Sequence, residues 1–526
     1  MSTGHIQARY GDFRFSAAIH DQDPNNPSNI LLAYNRQSVN ATWNSGATWN
    51  REHVWPQSRQ PGSASNSSSG NLGDPHALRP ANPGINSSRG NKPFGFSNTF
   101  GTSRSLGQYW FPGDADKGDI ARSLFYSDTR WGSSGLSLTN NFPAGNQMGE
   151  LWSLISWHYQ DPPDEFERRR NHTIYSSFYN PLYYTNNRNA FIDRPEYVWS
   201  IYVDQQNDSR ITIAGGELQG GGASSLDLDF GEVIVGSNLS PRELVTLDKN
   251  GLDGTYYSVQ TLDGATSDIA GFYNAFQTGA TDSRTIEVGL QFDPNLPGQN
   301  FGLIGVDNLD VTTQGGTGRG GNDGDDVISL SVTVLDHANP SFSNIEDVDT
   351  LLLDLGDVAL GAAHRESSVM IHNLDSPFGR SLTATLDLDQ IDETDPDNKF
   401  NLVGPLFVDL PAGQNEAFSV TGVVDELGLF TASYDIMLSD ADLSGETDTT
   451  IELNLSMDVI GILGDMNGGG SVNNMDISPF VAALLDPAGF AASFPDVDPN
   501  VIGDFNDDGV FNNSDISGFA NVLLGT

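Results

Sequence analysis

Two internal duplications, both lying beyond the first 225 residues, forbid a single-domain fold. The segment Leu228-Asp229-Phe230-Gly231-Glu232-Val233-Ile234-Val235-Gly236 returns 125 residues later as Leu353-Asp354-Leu355-Gly356-Asp357-Val358-Ala359-Leu360-Gly361. Runs with a period of two follow each copy: Arg284–Leu290 and Val327–Val334 in the first, Ala417–Val423 and Thr450–Ser456 in the second. That period is the mark of half-buried strands, so two all-β immunoglobulin-like sandwiches are expected over 226–338 and 346–460. The second duplication is shorter. Asp465, Asn467, Asn473 and Asp476 fall at positions 1, 3, 9 and 12 of one loop, and Asp504, Asn506, Asn512 and Asp515 repeat them in another, each with Gly at position 6. Alternating oxygens around a sharp glycine turn are the logic of a calcium loop. An apolar helical face follows both loops, with Ile477, Phe480, Val481, Leu484 and Leu485 in the first and Ile516, Phe519, Val522 and Leu523 in the second.

The remaining 213 residues differ in kind. Residues 1–215 hold 18 Lys+Arg and 18 Asp+Glu, so the net charge of −44 for the 526-residue chain sits entirely downstream. A polyanionic partner is repelled by such an acidic chain at low salt, but segregation of the charge leaves the first part neutral. A piece ending near Ala214 is therefore expected to bind a polyanion such as nucleic acid better than the whole chain at low salt. The change of composition coincides with a Gly-rich run over 214–225, which reads as a flexible linker. The absence of cysteine excludes disulfides and thiolate metal sites, and no apolar run is long enough to span a membrane. The start, Met1-Ser2-Thr3-Gly4-His5, lacks the basic and apolar segments of an export signal.

Within residues 1–213 the chemistry concentrates at Asn50-Arg51-Glu52-His53-Val54-Trp55-Pro56. A neutral imidazole can take a proton from water, and a carboxylate beside it can hold a hard divalent cation, a pairing suited to phosphodiester hydrolysis. Neighbouring residues on a strand face opposite ways, so Glu52 and His53 share a site only where the strand ends or turns. Two further blocks follow: Asp74-Pro75-His76-Ala77-Leu78-Arg79-Pro80 leading to Ile85-Asn86-Ser87-Ser88-Arg89-Gly90-Asn91, and Asn186-Asn187-Arg188-Asn189-Ala190-Phe191-Ile192-Asp193-Arg194-Pro195-Glu196-Tyr197-Val198.

In this order the three blocks resemble the endonuclease I family of secreted non-specific nucleases. The resemblance covers about residues 1–205 and implies an α+β fold with a ββα-metal site. By that resemblance Glu52 and Asn86 hold Mg²⁺, His53 is the general base, and the products carry 5′-phosphates. Arg79 and Arg89 are candidate phosphate contacts, and the Arg168–Arg170 run is another, weaker one. Two positions depart from the family pattern. Ala190 replaces the usual Pro, and Leu72 stands where some members carry a Glu that holds a phosphate-binding Arg.

The tail, 461–526, resembles type I dockerin domains in having two loops, Asp at position 12 and a helix after each loop. That implies Ca²⁺ at the loop residues, with Asp508 adding a carboxylate where Gly469 offers none, and a cohesin-like protein partner. The expected whole is an extracellular or cell-surface nuclease acting on DNA, RNA or both, tethered by its tail. The alternative is a non-enzymatic scaffold or adhesion protein carrying an inactive nuclease-like domain.

Overall fold

The computed structural model describes residues 4–203, 205–312, 323–360 and 362–525. The first three residues of the N-terminal start lie outside this range. Two compact units result: Met1–Asp229, Ser240–Gln291 and Phe301–Leu330 form one, and Phe230–Leu239, Phe292–Asn300 and Ser331–Thr526 the other.

In the first unit, helix α1 (Phe13–His20) buries Phe13 and Ala17 against Trp49 and Leu78. Strand β1 (Asn50–His53) pairs antiparallel with β2 (Leu78–Ala81), Glu52 opposite Arg79 and His53 opposite Leu78. Helix α2 (Pro83–Arg89) begins directly after β2 because Asn82 caps it, its side-chain oxygen accepting from the Gly84 and Ile85 amides. Pro83 occupies the first helical position, where its missing N–H leaves no bond unmade. These three elements form a ββα unit. Helices α3 (Lys117–Trp131), α4 (Leu151–Gln160) and α5 (Glu165–Tyr175) supply the rest of the scaffold. Helices α4 and α5 are separate, because Pro162 and Pro163 cannot continue the backbone ladder past Gln160.

Sheet follows directly. Arg210–Ile213 pairs with Arg242–Asn250, which pairs with Asp282–Leu290, and that strand pairs with Ala265–Ser267. The Gly-rich run 214–225 is folded rather than loose: Glu217–Leu218 pairs with Ser224–Ser225, and the Ser224 amide donates to Asp326 at 2.7 Å. Gly216 has its backbone so close to the Ser225 carbonyl that a Cβ would sit 2.8 Å from it. Glycine is used there for a tight approach, not for flexibility. Tyr256 and Leu309, which lie beyond this run, share one buried core with Trp157 and Tyr159 of α4. The Tyr256 hydroxyl donates to the His158 carbonyl at 2.6 Å, and buried Asp310 accepts from the Tyr159 hydroxyl at 3.1 Å.

The second unit carries two four-stranded sheets, one ordered 340–341, 365–373, 415–422, 400–403 and the other 350–359, 448–460, 428–440, 386–394. Val369, Ile371 and Phe418 from one sheet and Leu355, Tyr434 and Leu453 from the other fill a common core. The tail has its own core around Met466, Phe490 and Ile502. Helices α6 (Ile477–Leu485) and α7 (Ile516–Leu524) meet there through Phe480 and Phe519, stacked at 4.0 Å with an interplanar angle of 0°. The duplicated residue of one repeat thus faces its counterpart in the other. The apolar face of α6 is divided: Phe480 points inward, whereas Ile477, Val481 and Leu485 are 46%, 46% and 80% exposed.

Candidate active site

Alternation along β1 turns Asn50 and Glu52 to one side and Arg51 and His53 to the other. On α2, Asn86 and Arg89 are three residues apart and share a face. The two pairs meet as rungs. Asn86 Nδ2 donates to Asn50 Oδ1 at 2.7 Å, and Arg89 Nη1 pairs with Glu52 Oε1 at 3.0 Å. Tyr34, absent from the motifs, donates its hydroxyl to the same Glu52 oxygen at 2.6 Å. Burial raises the Glu52 pKa, while Arg89 and Tyr34 oppose the rise.

This arrangement fits a hard cation. The amide nitrogen of Asn86 is committed to Asn50, so the carbonyl end is left over. Glu52 spends Oε1 on Tyr34 and Arg89 and keeps Oε2. One carboxylate oxygen and one amide oxygen, with water completing the shell, is a donor set that Mg²⁺ accepts.

His53 is the last residue of β1, where the strand ends, and its ring has partners of its own. Its Nε2 lies 3.0 Å from the Leu72 carbonyl, and its ring stacks on Tyr10 with centroids 4.8 Å apart. A carbonyl can only accept, so Nε2 carries the proton and the Nδ1 lone pair is available. Burial pushes the imidazole pKa down to about 4, partly offset by the Leu72 carbonyl, so the ring is neutral at neutral pH. Leu72 brings no acid to the site, but its backbone fixes the tautomer of the imidazole.

An Endonuclease I family profile matches residues 9–196, the stretch that contains this unit. The extracellular ribonuclease of Bacillus amyloliquefaciens is 38% identical over 220 residues, covering 38% of this chain and 70% of that protein. The extracellular ribonuclease of Bacillus subtilis (strain 168) is 38% identical over 213 residues, with the same shares covered. The chain belongs to the endonuclease I family.

The structure corrects the reading of two arginines in this endonuclease I unit. Arg89 is fully buried; besides Glu52 it donates to the His53 carbonyl at 3.1 Å and lies over the Phe94 ring at 4.8 Å. Arg79 is also buried, its guanidinium 3.1 Å from Asp119 and 3.5 Å from Asp21. Neither fork is turned to a phosphate. Arg170 belongs to the same buried network through Asp21 at 2.7 Å, and Arg168 pairs with Glu165. Removing one partner of a buried ion pair strands the other, so Arg89→Ala is expected to cost about 3–5 kcal/mol. Denaturant unfolding measures this; lost activity at unchanged stability would instead put Arg89 on the substrate.

Asp74, His76 and Asn189 of the motifs bond within the fold. Asp74 caps the turn Pro75–Ala77 and accepts from the Tyr126 hydroxyl at 2.8 Å and Trp131 Nε1 at 3.1 Å. His76 is buried against the Asn187 carbonyl at 3.1 Å. Asn189 caps the helix Ala190–Asp193, which makes Ala190 its first residue. An Asp-Pro pair is the local signal for the first of these caps.

Far along the chain, the two tail loops share one backbone pattern. Gly470 and Gly509, both at position 6, have φ of 81°. Asp465 accepts from the amides of Gly469 and Gly470, and Asp504 from those of Asp508 and Gly509. Asp476 and Asp515 each accept from the position 3 and position 9 amides of their own loop, those of Asn467 and Asn473 and of Asn506 and Asn512. The carboxylates at positions 1 and 12 are thereby drawn into each loop, a donor set of the kind a calcium ion takes.

Proposed function

We propose that this chain is an extracellular, metal-dependent endonuclease that hydrolyses phosphodiester bonds in DNA, RNA or both and leaves 5′-phosphate ends. The observation that carries the reading is the double rung of Asn50 with Asn86 and Glu52 with Arg89, which turns Glu52 and Asn86 to one side of the ββα unit. Those two residues would hold Mg²⁺, which when bound supplies stabilisation of charge on the phosphate and leaving oxygens. His53 Nδ1 removes the proton from the water that attacks phosphorus, while the Leu72 carbonyl keeps the other nitrogen protonated. Extracellular location is supported by the names of the two Bacillus relatives. The test is nicking of supercoiled plasmid and cleavage of single-stranded RNA by the purified chain. Both are expected in Mg²⁺ and neither in excess EDTA; full activity in EDTA would reject the metal.

The same reading makes the tail a dockerin-like module with Ca²⁺ in both loops, linked to the nuclease by immunoglobulin-like sandwiches. The exposed Ile477, Val481 and Leu485 would meet a cohesin-like partner. Asp508 gives the second loop one carboxylate more than the first, where Gly469 stands. Calorimetric titration of the full chain is expected to resolve two Ca²⁺ steps, the tighter one abolished by Asp504→Ala. One step untouched by that substitution would reject the inequality.

A further inference from the structure

On the face of β1 opposite Glu52, a continuous series of cations and rings leads away from His53. Tyr10 stacks on His53 at 4.8 Å, and the Arg51 guanidinium lies over Tyr10 at 3.7 Å and over Trp43 at 5.2 Å. Arg14 is the next cation along. Its Nε donates to the carbonyl of Gly11, the residue directly after Tyr10. Arg14 lies over the Phe15 ring at 5.3 Å, and Phe15 stacks on Tyr183 at 6.2 Å. Beyond Phe15, on the same face of α1, the surface opens into a cavity of about 510 Å³ between Ile19 and Tyr179.

Two features set this surface apart from packed core or ordinary solvated surface. Phe15 is 52% exposed, although Phe13, two residues earlier on the same helix, is 2% exposed. The part of the Phe15 ring that Tyr183 and Arg14 leave in water is available to stack on something else. Among the described residues, in turn, neither Arg14 nor Arg51 has an acidic partner. Arg14 donates to the Gly11 carbonyl at 2.7 Å, and Arg51 to the Tyr10 carbonyl at 2.8 Å and the Asn66 side chain at 3.2 Å. Among the described residues no ion pair involves either one, in a chain with 69 acidic side chains and 25 basic ones. Backbone carbonyls hold these forks against the rings without neutralising them.

We propose that the surface from Tyr10 and Arg51 through Arg14 to Phe15 and Tyr183 is a track for single-stranded nucleic acid leading into the His53 site. This rests on the nuclease reading and adds to it the form of the substrate. The exposed Phe15 ring, with the half-buried Tyr183 beside it, takes up the faces of unpaired bases, which a duplex hides inside its own stack, and the unneutralised guanidiniums take the intervening phosphates. Arg51 and Arg14 supply the phosphate contacts that Arg79 and Arg89, closed inside the fold, cannot.

The test uses the full chain in EDTA and a fluorescein-labelled oligonucleotide of about twelve nucleotides, single-stranded or annealed to its complement, followed by anisotropy. Phe15→Ala with Tyr183→Ala is expected to weaken single-strand binding about tenfold. Arg14→Gln should lower the slope of log affinity against log salt by about 0.7. All three positions are at least partly exposed, and circular dichroism melts confirm that the variants fold. Single-strand affinity unchanged in the variants overturns the track, as does a duplex bound as tightly as the single strand. Cleavage of the same oligonucleotide in Mg²⁺ is scored separately. Cleavage without any effect of the variants on binding removes the track alone, whereas variant-sensitive binding without cleavage removes the nuclease reading alone.

Discussion

His53→Ala is expected to lower the rate of phosphodiester cleavage by about 10²–10⁴ at neutral pH, the usual contribution of a positioned general base. Mg²⁺ affinity should be nearly unchanged, because the imidazole, held by Tyr10 and the Leu72 carbonyl, is not one of the residues that would hold the ion. His53→Gln is the stricter control: it keeps an N–H for the Leu72 carbonyl but has no basic nitrogen. The pH profile carries the same assignment. The ring works as a base only while neutral, and burial lowers its pKa from 6.5 to about 4. On account of His53, kcat/KM should therefore be flat through the mid-6 region and be lost only as pH falls through about 4. A limb in the mid-6 region would mean that the working imidazole is solvated, and near-wild-type turnover by His53→Gln would end its role as base.

How far the site was legible in the sequence depends on how local each interaction is. The caps at Asn82 and Asp74 and the two tail loops are built within a few residues, and their residue types declare them. The double rung is different. Asn50 and Glu52 follow a strand period and Asn86 and Arg89 a helix period, but nothing local says that these two faces meet. Arg79 and Arg89 were read as phosphate contacts because a guanidinium in a motif looks the same whether it faces a ligand or a carboxylate; Asp21 and Asp119 reach Arg79 only through tertiary folding. Tyr34 carried no signal at all, since a tyrosine outside every motif becomes a partner of Glu52 only once β1 is in place. Composition erred at 214–225 for a related reason. Glycine marks both a loose chain and a tight backbone approach, and the pairing of Glu217–Leu218 with Ser224–Ser225 decides for the second.

That last correction changes the outcome expected of truncation. Charge segregation alone favours a chain ending near Ala214, freed of all the acidic sequence. Such a chain keeps α4 but loses Tyr256 and Leu309, which complete the core around Trp157 and Tyr159. It also loses Asp310, the acceptor for the buried Tyr159 hydroxyl. Losing one large buried aromatic costs about 3–5 kcal/mol, and at about 2–4 °C per kcal/mol the melting temperature should fall by on the order of 10 °C. The Arg210–Ile213 strand would be left without its partner Arg242–Asn250 as well. A chain ending after Ala338 retains these contacts while shedding much of the acidic sequence, and it is the one expected to bind nucleic acid more tightly than the full chain at low salt. Salt should bring those two together, because screening at physiological ionic strength cuts the reach of charge to about 8 Å. Calorimetric melts of the three chains decide the matter: if the Ala214 chain melts with the full-length transition of the first unit, the sheet after α5 is dispensable and the shared core is not what holds the nuclease together.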